Sequence, residues 1–131
     1  MTRQELVDMY QGYLMEQGFR PEVLDGRLVT FMSEGGKYAI LVDENDAGYF
    51  RLIFPNFWSI RDEAERIRVL KAADYATAET KVAKVFTVRD NVWAAIEAFP
   101  ASPEQFKATF PRSMDALRLS VRKFLERVGA S

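Results

Sequence analysis

Hydrophobic positions near the start of the chain recur at the spacing of an amphipathic helix. The residues that share this face are Leu6, Met9, Tyr10, Tyr13 and Leu14. The run Thr2–Glu5 before them is a capping-box pattern, in which a threonine hydroxyl and a glutamate carboxylate bond free backbone N–H groups. Gly18 suits a helix C-cap, and Pro21 cannot continue a helix. The pattern therefore predicts a first helix that begins at Thr2 and ends at Gly18.

Short segments rich in β-branched and aromatic residues follow, and turn signals separate them. The predicted strands are Glu22–Leu24, Arg27–Ser33, Lys37–Val42 and Tyr49–Phe54. The turns between them are Asp25-Gly26, Glu34-Gly35-Gly36 and the acidic loop Asp43–Gly48. Because short turns join consecutive strands, we expect an antiparallel meander. We expect it to end at Pro55, which has no backbone N–H to donate.

A second helical pattern runs from Ser59 or Ile60 to about Thr77 and has an apolar stripe. The residues of this stripe are Ala64, Ile67, Leu70 and Ala73. Lys81–Arg89 and Val92–Phe99 then predict a hairpin around Asp90-Asn91.

A last helical segment begins at Ser102-Pro103, and we expect Pro111 to break or kink it. Its apolar positions are Met114, Leu117, Val121, Phe124, Leu125 and Val128, and it stops at Gly129.

This order of elements predicts an α+β fold in which helices pack on an antiparallel sheet. The order is helix, three or four strands, helix, two strands, helix. The first and last helices both carry apolar stripes, so we expect them on one face of the sheet. The chain has 131 residues and shows no linker or repeat, which predicts a single domain over residues 1–131. The strands are apolar on both faces, so the second face also needs cover, from another helix or from a partner.

The absence of certain residue types excludes several functional classes. The chain has no cysteine and no histidine, which removes Ser-His-Asp triads, thiol nucleophiles and ordinary zinc sites. The Asp43–Gly48 loop only partly matches a calcium loop, because Ala47 and Phe54 stand where ligands are needed. No Gly-rich phosphate loop is present. We therefore expect no catalytic residue, no metal and no cofactor.

Charge and hydropathy set expectations about partners and location. The 18 basic and 19 acidic side chains leave a net charge of -1, which offers no general attraction to nucleic acid. Mean hydropathy is -0.19, and no apolar run approaches a membrane span. The N-terminal residues lack the pattern of a signal peptide. We therefore expect a cytoplasmic protein that binds neither nucleic acid nor a membrane.

Five residues are candidates for a partner or dimer interface. Three are aromatic and two are basic: Tyr49, Phe57, Trp58, Arg118 and Arg122. Aromatic residues make up 13% of the chain, enough to fill a core and leave some for an interface. The alternative for the aromatic residues is burial in the core. The alternative for the two arginines, four residues apart, is a solvated face of the last helix.

The whole pattern resembles a known family. The resemblance rests on the element order, the Gly18-Phe19 helix end, the Gly35-Gly36 and Asp43–Gly48 turns, and Lys81-Val82 before the second hairpin. In these features the chain is similar, over nearly its whole length, to the YbjN-type bacterial family, whose fold is that of type III secretion chaperones. The resemblance implies a non-enzymatic, often dimeric protein that binds other polypeptides or modulates regulation, and it supplies no catalytic residues.

We therefore predict a non-enzymatic protein-binding module, chaperone-like or regulatory, that forms a homodimer and recognises another protein or peptide. The alternative is a small-ligand-binding domain or a small enzyme that uses carboxylate, tyrosine or lysine side chains. A deep polar pocket with an acidic residue of raised pKa would favour the alternative.

Overall fold

Three helices and six strands follow one another in the predicted order in the computed structural model, which describes residues 1–129. The helices are α1 (Arg3–Glu16), α2 (Glu63–Glu79) and α3 (Phe106–Gly129), and a short 3-10 helix, Pro103–Gln105, precedes α3. The strands are β1 (Glu22–Leu24), β2 (Leu28–Ser33), β3 (Gly36–Leu41), β4 (Phe50–Ser59), β5 (Ala83–Val88) and β6 (Asn91–Ala98). They form one six-stranded antiparallel sheet in the order β1-β2-β3-β4-β6-β5. The predicted α+β class is confirmed.

The contacts divide the chain into two compact units. Unit 1 comprises Met1–Ile53 and Glu97–Pro111, and unit 2 comprises Phe54–Ile96 and Arg112–Ser131. Unit 1 contains α1 and strands β1 to β3, whereas unit 2 contains α2 and β5.

Helix α1 is capped as its sequence predicts. The Thr2 hydroxyl accepts a bond from the Glu5 N–H at 3.1 Å, and the Glu5 carboxylate accepts one from the Thr2 N–H at 2.9 Å. At the other end Gly18 has a φ of 91°, which glycine adopts without steric cost. The Gly18 and Phe19 N–H groups bond the carbonyls of Met15 and Leu14 at 3.0 Å. These two bonds form a Schellman motif in which Gln17 is the C-cap and Gly18 follows it, so the predicted glycine end of α1 is confirmed one residue beyond the cap.

The core of unit 1 is built from aromatic side chains on one face of the sheet. Tyr10 of α1 and Phe106 of α3 both contact Phe50 of β4, with ring centroids 6.1 and 5.3 Å away. Phe110 of α3 lies 6.0 Å from Phe31 of β2. Within unit 1, α1 and the start of α3 therefore pack on the same face of the sheet, as their apolar stripes predict.

Strand β4 runs through Pro55, so the prediction that the strand ends there is wrong. Asn56 has a φ of 53°, a left-handed conformation that local hydrogen bonding helps asparagine to adopt. The Asn56 side chain accepts a hydrogen bond from the Trp93 indole N–H at 2.9 Å. Proline is tolerated at an irregularity of this kind because no regular ladder bond is required of it there.

The boundaries in the second half shift by a few residues. The hairpin turn is Arg89-Asp90, one residue earlier than predicted, and β6 begins at Asn91. Helix α2 begins at Glu63 because Asp62 is its N-cap and accepts a bond from the Glu65 N–H at 2.8 Å. Helix α3 continues through Pro111 to Gly129, so Pro111 does not break it.

Candidate protein-binding surfaces

Helix α2 buries a different stripe from the one its sequence suggests. The buried residues are Glu65, Val69, Ala72, Ala73 and Ala76. Of the predicted stripe only Ala73 is buried, whereas Ile67 is 57% exposed and Leu70 is 49% exposed. The three buried alanines let α2 lie close to the strand that follows it. The larger apolar residues are left outward, so α2 has apolar surface on both sides.

The outer face of α2 combines apolar and charged residues. We use this name for Ile67, Leu70, Lys71, Asp74 and Ala78, all of which are exposed. Exposed apolar residues that cluster on one helix face commonly mark an interaction site.

Burial of Glu65 explains why the sequence pattern pointed to the wrong face. Glu65 is only 3% exposed, and an acidic residue is not expected at a buried position. The Arg61 guanidinium and backbone N–H both bond its carboxylate at 2.8 Å, and Arg68 lies 3.4 Å from it. The hydrogen bonds from Arg61 are the main reason why the pKa of Glu65 lies below its usual range. The charged carboxylate is thus satisfied where it lies.

A second candidate surface lies in unit 1 around Tyr49. The Tyr49 hydroxyl donates a hydrogen bond to the Glu97 carboxylate, and the Arg51 Nε lies 3.3 Å from the same carboxylate. Phe99 is 79% exposed, and its ring centroid lies 5.7 Å from that of Tyr49. We call Tyr49, Arg51, Glu97 and Phe99 the Tyr49 cluster. Aromatic and arginine side chains are enriched at the residues that dominate binding energy in protein interfaces.

Phe57 and Trp58 are half-buried in unit 2 rather than fully displayed on its surface. Their ring centroids lie 5.4 and 5.7 Å from that of Phe124, which is fully buried in α3. Both pairs are edge-to-face, a favourable arrangement for aromatic rings. The geometry makes these two residues packing partners of α3, and each keeps part of its side chain exposed.

Arg118 and Arg122 lie on α3 in unit 2, where the structure places them at different depths. Arg118 is 28% exposed and lies 3.6 Å from Asp115, whereas Arg122 is exposed. Close to them Leu125 is 44% exposed, so its predicted place in the buried stripe of α3 is wrong. Phe124 and Val128 occupy the buried positions of that turn. The exposed face of α3 therefore mixes basic and apolar groups.

Tyr49 is a candidate from the sequence, whereas its neighbours in the Tyr49 cluster are not. Arg51 is close to Tyr49 in the chain, but nothing in its sequence context marks it as a binding residue. Glu97 and Phe99 are about 50 residues away, so only the folded structure brings them to Tyr49. Ile67 and Leu70 were recognised as apolar but assigned to the core. A signal was present, because Val69, Ala72, Ala73 and Ala76 form an equally good helical stripe of smaller residues.

Residues 1–129 contain no group of three or more aspartate, glutamate, histidine or cysteine side chains that could hold a metal ion. No helix in this part of the chain combines the length and the apolar character needed to cross a membrane.

Two comparisons of the sequence with known proteins found no match. No protein-family model matches the chain, and no curated protein matches it in sequence. The resemblance to the YbjN-type family therefore stays a prediction.

Proposed function

We propose that this protein is a non-enzymatic protein-binding module, chaperone-like or regulatory, that works as a homodimer. The observation that carries the proposal is the outer face of α2. Ile67 and Leu70 are large apolar residues, and each leaves about half of its surface exposed to water. Burying such residues against another chain removes apolar surface from water, which is the main driving force of protein association.

The outer face of α2 is complementary to itself. Ile67, Lys71, Asp74 and Ala78 recur at the alternating spacing of four and three residues that forms a seam along a helix. A two-fold axis between two antiparallel α2 helices, midway between Lys71 and Asp74, sets Lys71 of one copy against Asp74 of the other. The same axis sets the large Ile67 against the small Ala78. A two-fold contact uses one surface twice, so a second copy is the partner that this seam fits.

The Tyr49 cluster supports the binding of a further polypeptide. Its exposed Phe99 and Tyr49 rings provide apolar contact area, and Arg51 and Glu97 are already held in place by their ion pair. Groups that are fixed before binding lose less conformational entropy when a partner arrives.

The homodimer is tested by measuring mass in solution. We expect light scattering to give twice the chain mass of 15.0 kDa at micromolar concentration. Leu70→Glu should return the protein to a monomer, because it places a carboxylate of each copy beside the α2 seam, where Leu70 would otherwise bury apolar surface. Met15→Glu is the matched control, because Met15 is 61% exposed on α1 and lies outside unit 2. A wild-type protein that stays monomeric, or a Leu70→Glu variant that stays dimeric, contradicts the α2 dimer.

Binding of another polypeptide is tested with the Tyr49 cluster. We expect Phe99→Ser to fold normally, because Phe99 is exposed, and to lose a protein that the wild type captures from native cells. A matched Met32→Ser variant, 57% exposed on β2, should keep it. If both variants capture the same proteins in the same amounts, the cluster is not the contact surface.

A further inference from the structure

Phe99, which follows β6, displays an aromatic ring to water. It is 79% exposed, more than any other large apolar side chain in residues 1–129. Its ring centroid lies 5.7 Å from that of Tyr49, and the two rings are tilted by 44°. The Tyr49 ring is itself held by the hydrogen bond from its hydroxyl to Glu97. Because so little of the Phe99 ring is covered, a partner can reach its electron-rich face, which attracts cations.

The loop that leads into Tyr49 displays carboxylates beside this aromatic pair. Asp43, Glu44 and Asp46 are all exposed. Local hydrogen bonds order the loop, because the Asn45 N–H donates to the Asp43 carboxylate at 2.9 Å. The Tyr49 N–H donates to the Asp46 carbonyl at 3.1 Å, which closes a turn. This turn fixes the backbone of Asp46 next to that of Tyr49, so aromatic and acidic groups share one surface of unit 1.

The negative charge of this surface is largely uncompensated. The Arg3 guanidinium lies 3.8 Å from Glu44 in an exposed pair, whereas Asp43 and Asp46 form no ion pair with any residue from 1 to 129. Unit 1 as a whole carries six basic and eleven acidic side chains, which leaves a net charge of -5. A positively charged partner is therefore attracted both by the nearby carboxylates and by the charge of the unit.

We propose that the Tyr49 cluster, together with Asp46, binds a basic segment of another protein, with a lysine or arginine side chain over the Phe99 ring. The inference rests on the proposed role of the cluster in binding a polypeptide, and it adds the chemistry of that partner. A cation gains from the ring face and from the carboxylate at the same time. An acidic segment would meet like charges, and an uncharged one would gain nothing from Asp46.

The test measures the binding of a fluorescent hexa-arginine peptide to the full chain by anisotropy, in low salt, where exposed charges are least screened. A hexa-glutamate peptide is the control for charge. Phe99→Leu keeps an apolar side chain and removes the ring, and Asp46→Asn removes the charge at nearly constant size. Their matched controls are Met32→Leu, at a 57% exposed position of β2, and Glu16→Gln, which removes an exposed carboxylate of α1.

We expect the wild type to bind hexa-arginine and to show no binding of hexa-glutamate. Phe99→Leu and Asp46→Asn should each weaken the binding of hexa-arginine about threefold or more, the effect of losing one exposed contact between a cation and a ring or a carboxylate. Met32→Leu and Glu16→Gln should match the wild type. All four positions are exposed, so circular dichroism should show the wild-type fold in every variant.

Four outcomes overturn the inference. The first is a wild type that does not bind hexa-arginine, and the second is a Phe99→Leu variant that binds it as tightly as the wild type. The third is equal weakening by Glu16→Gln and Asp46→Asn, which would indicate general attraction to an acidic unit. The fourth is a Phe99→Leu variant with a lower mass in solution and unchanged peptide affinity, which would assign the surface to a second copy.

The failure of this inference is distinct from the failure of the proposed function. A cellular protein that Phe99→Ser loses, while Phe99→Leu and Asp46→Asn bind hexa-arginine like the wild type, would leave the cluster a protein-binding surface whose partner is not basic. Equal capture by Phe99→Ser and Met32→Ser would instead remove the cluster from the proposed function.

Discussion

At the scale of single residues, the buried carboxylate of Glu65 shows how local chemistry can decide which face of a helix is buried. The side chain is 3% exposed, yet three donor groups from Arg61 and one from Arg68 surround its oxygens. A charge that keeps its hydrogen bonds can lie under a helix, whereas a charge that loses them cannot. Hydrophobicity alone would have placed this residue outside.

The lowered pKa of Glu65 predicts a dependence of stability on pH. A carboxyl whose pKa is lower in the folded than in the unfolded chain stabilises the fold above its unfolded pKa, near 4.5. That stabilisation is lost as the pH falls through the folded value. We expect the free energy of unfolding to fall less between pH 7 and pH 3 in Glu65→Gln than in the wild type, as measured by denaturant titration.

The control for this experiment is Glu63→Gln, because Glu63 is 90% exposed and lies 3.7 Å from Arg66. Its pH dependence should follow the wild type. Parallel curves for Glu65→Gln and the wild type would show that the ion pairs of Glu65 do not contribute.

The ring of Phe124 gives a second prediction at this scale. It is fully buried and contacts both Phe57 and Trp58, so truncation leaves a cavity that two aromatic rings must line. We expect Phe124→Ala to reduce the free energy of unfolding by about 3–5 kcal/mol. Phe99→Ala, at an exposed position, should change it by less than about 0.5 kcal/mol. Equal effects of the two variants in thermal or denaturant unfolding would contradict this description of the core.

At the scale of elements, α3 contains a proline and still continues. Proline lacks an N–H, so the carbonyl four residues earlier, that of Lys107, loses its intrahelical partner. The structure supplies a substitute within unit 1, because the Tyr13 hydroxyl of α1 donates to the Lys107 carbonyl at 3.4 Å. This distance is long for such a bond, which makes the contact a weak one. Burial is the main cause that raises the pKa of Tyr13, which keeps the phenol a donor.

A double-mutant cycle tests this compensation. We expect Tyr13→Phe to reduce the free energy of unfolding by about 0.5–1 kcal/mol, because it leaves the Lys107 carbonyl without a donor. Pro111→Ala restores a backbone N–H at the right position, so Tyr13→Phe should cost less in that background. Additive effects in chemical denaturation would mean that the two residues do not share the carbonyl.

At the scale of the whole molecule, the two units differ in charge. Unit 1 carries six basic and eleven acidic side chains, and unit 2 carries twelve basic and eight acidic, which together make the 18 and 19 of the chain. The near-neutral total therefore hides an acidic unit and a basic one. Such asymmetry steers the approach of charged partners, an effect that salt weakens.

The α2 seam predicts the outcome of a charge exchange. Lys71→Asp places like charges opposite each other on both sides of the two-fold axis, so we expect a weaker dimer. Lys71→Asp combined with Asp74→Lys restores opposite pairs and should recover most of the affinity. Exposed ion pairs contribute about 0–1 kcal/mol each, so the shift should be several-fold and larger in low salt. Sedimentation velocity measures it, and a double variant no tighter than Lys71→Asp would exclude the antiparallel seam.

The sequence by itself determined the elements whose signals are local. Thr2, Glu5 and Gly18 set the ends of α1, the glycine-containing turns set the meander, and the lack of cysteine and histidine excluded several kinds of chemistry. Such signals act over a few residues, so they can be interpreted without knowing what packs nearby. The α+β class followed from the order of these elements.

Only the tertiary structure decided which of two helical stripes α2 buries, how β4 passes Pro55, and which residues meet Tyr49. The choice for α2 depended on Arg61 and Arg68 closing around Glu65 and on small residues fitting against β5. The passage of β4 depended on a left-handed Asn56 held by Trp93, 37 residues away in the chain. These outcomes depend on contacts between distant residues, and the periodicity of a short segment does not contain that information.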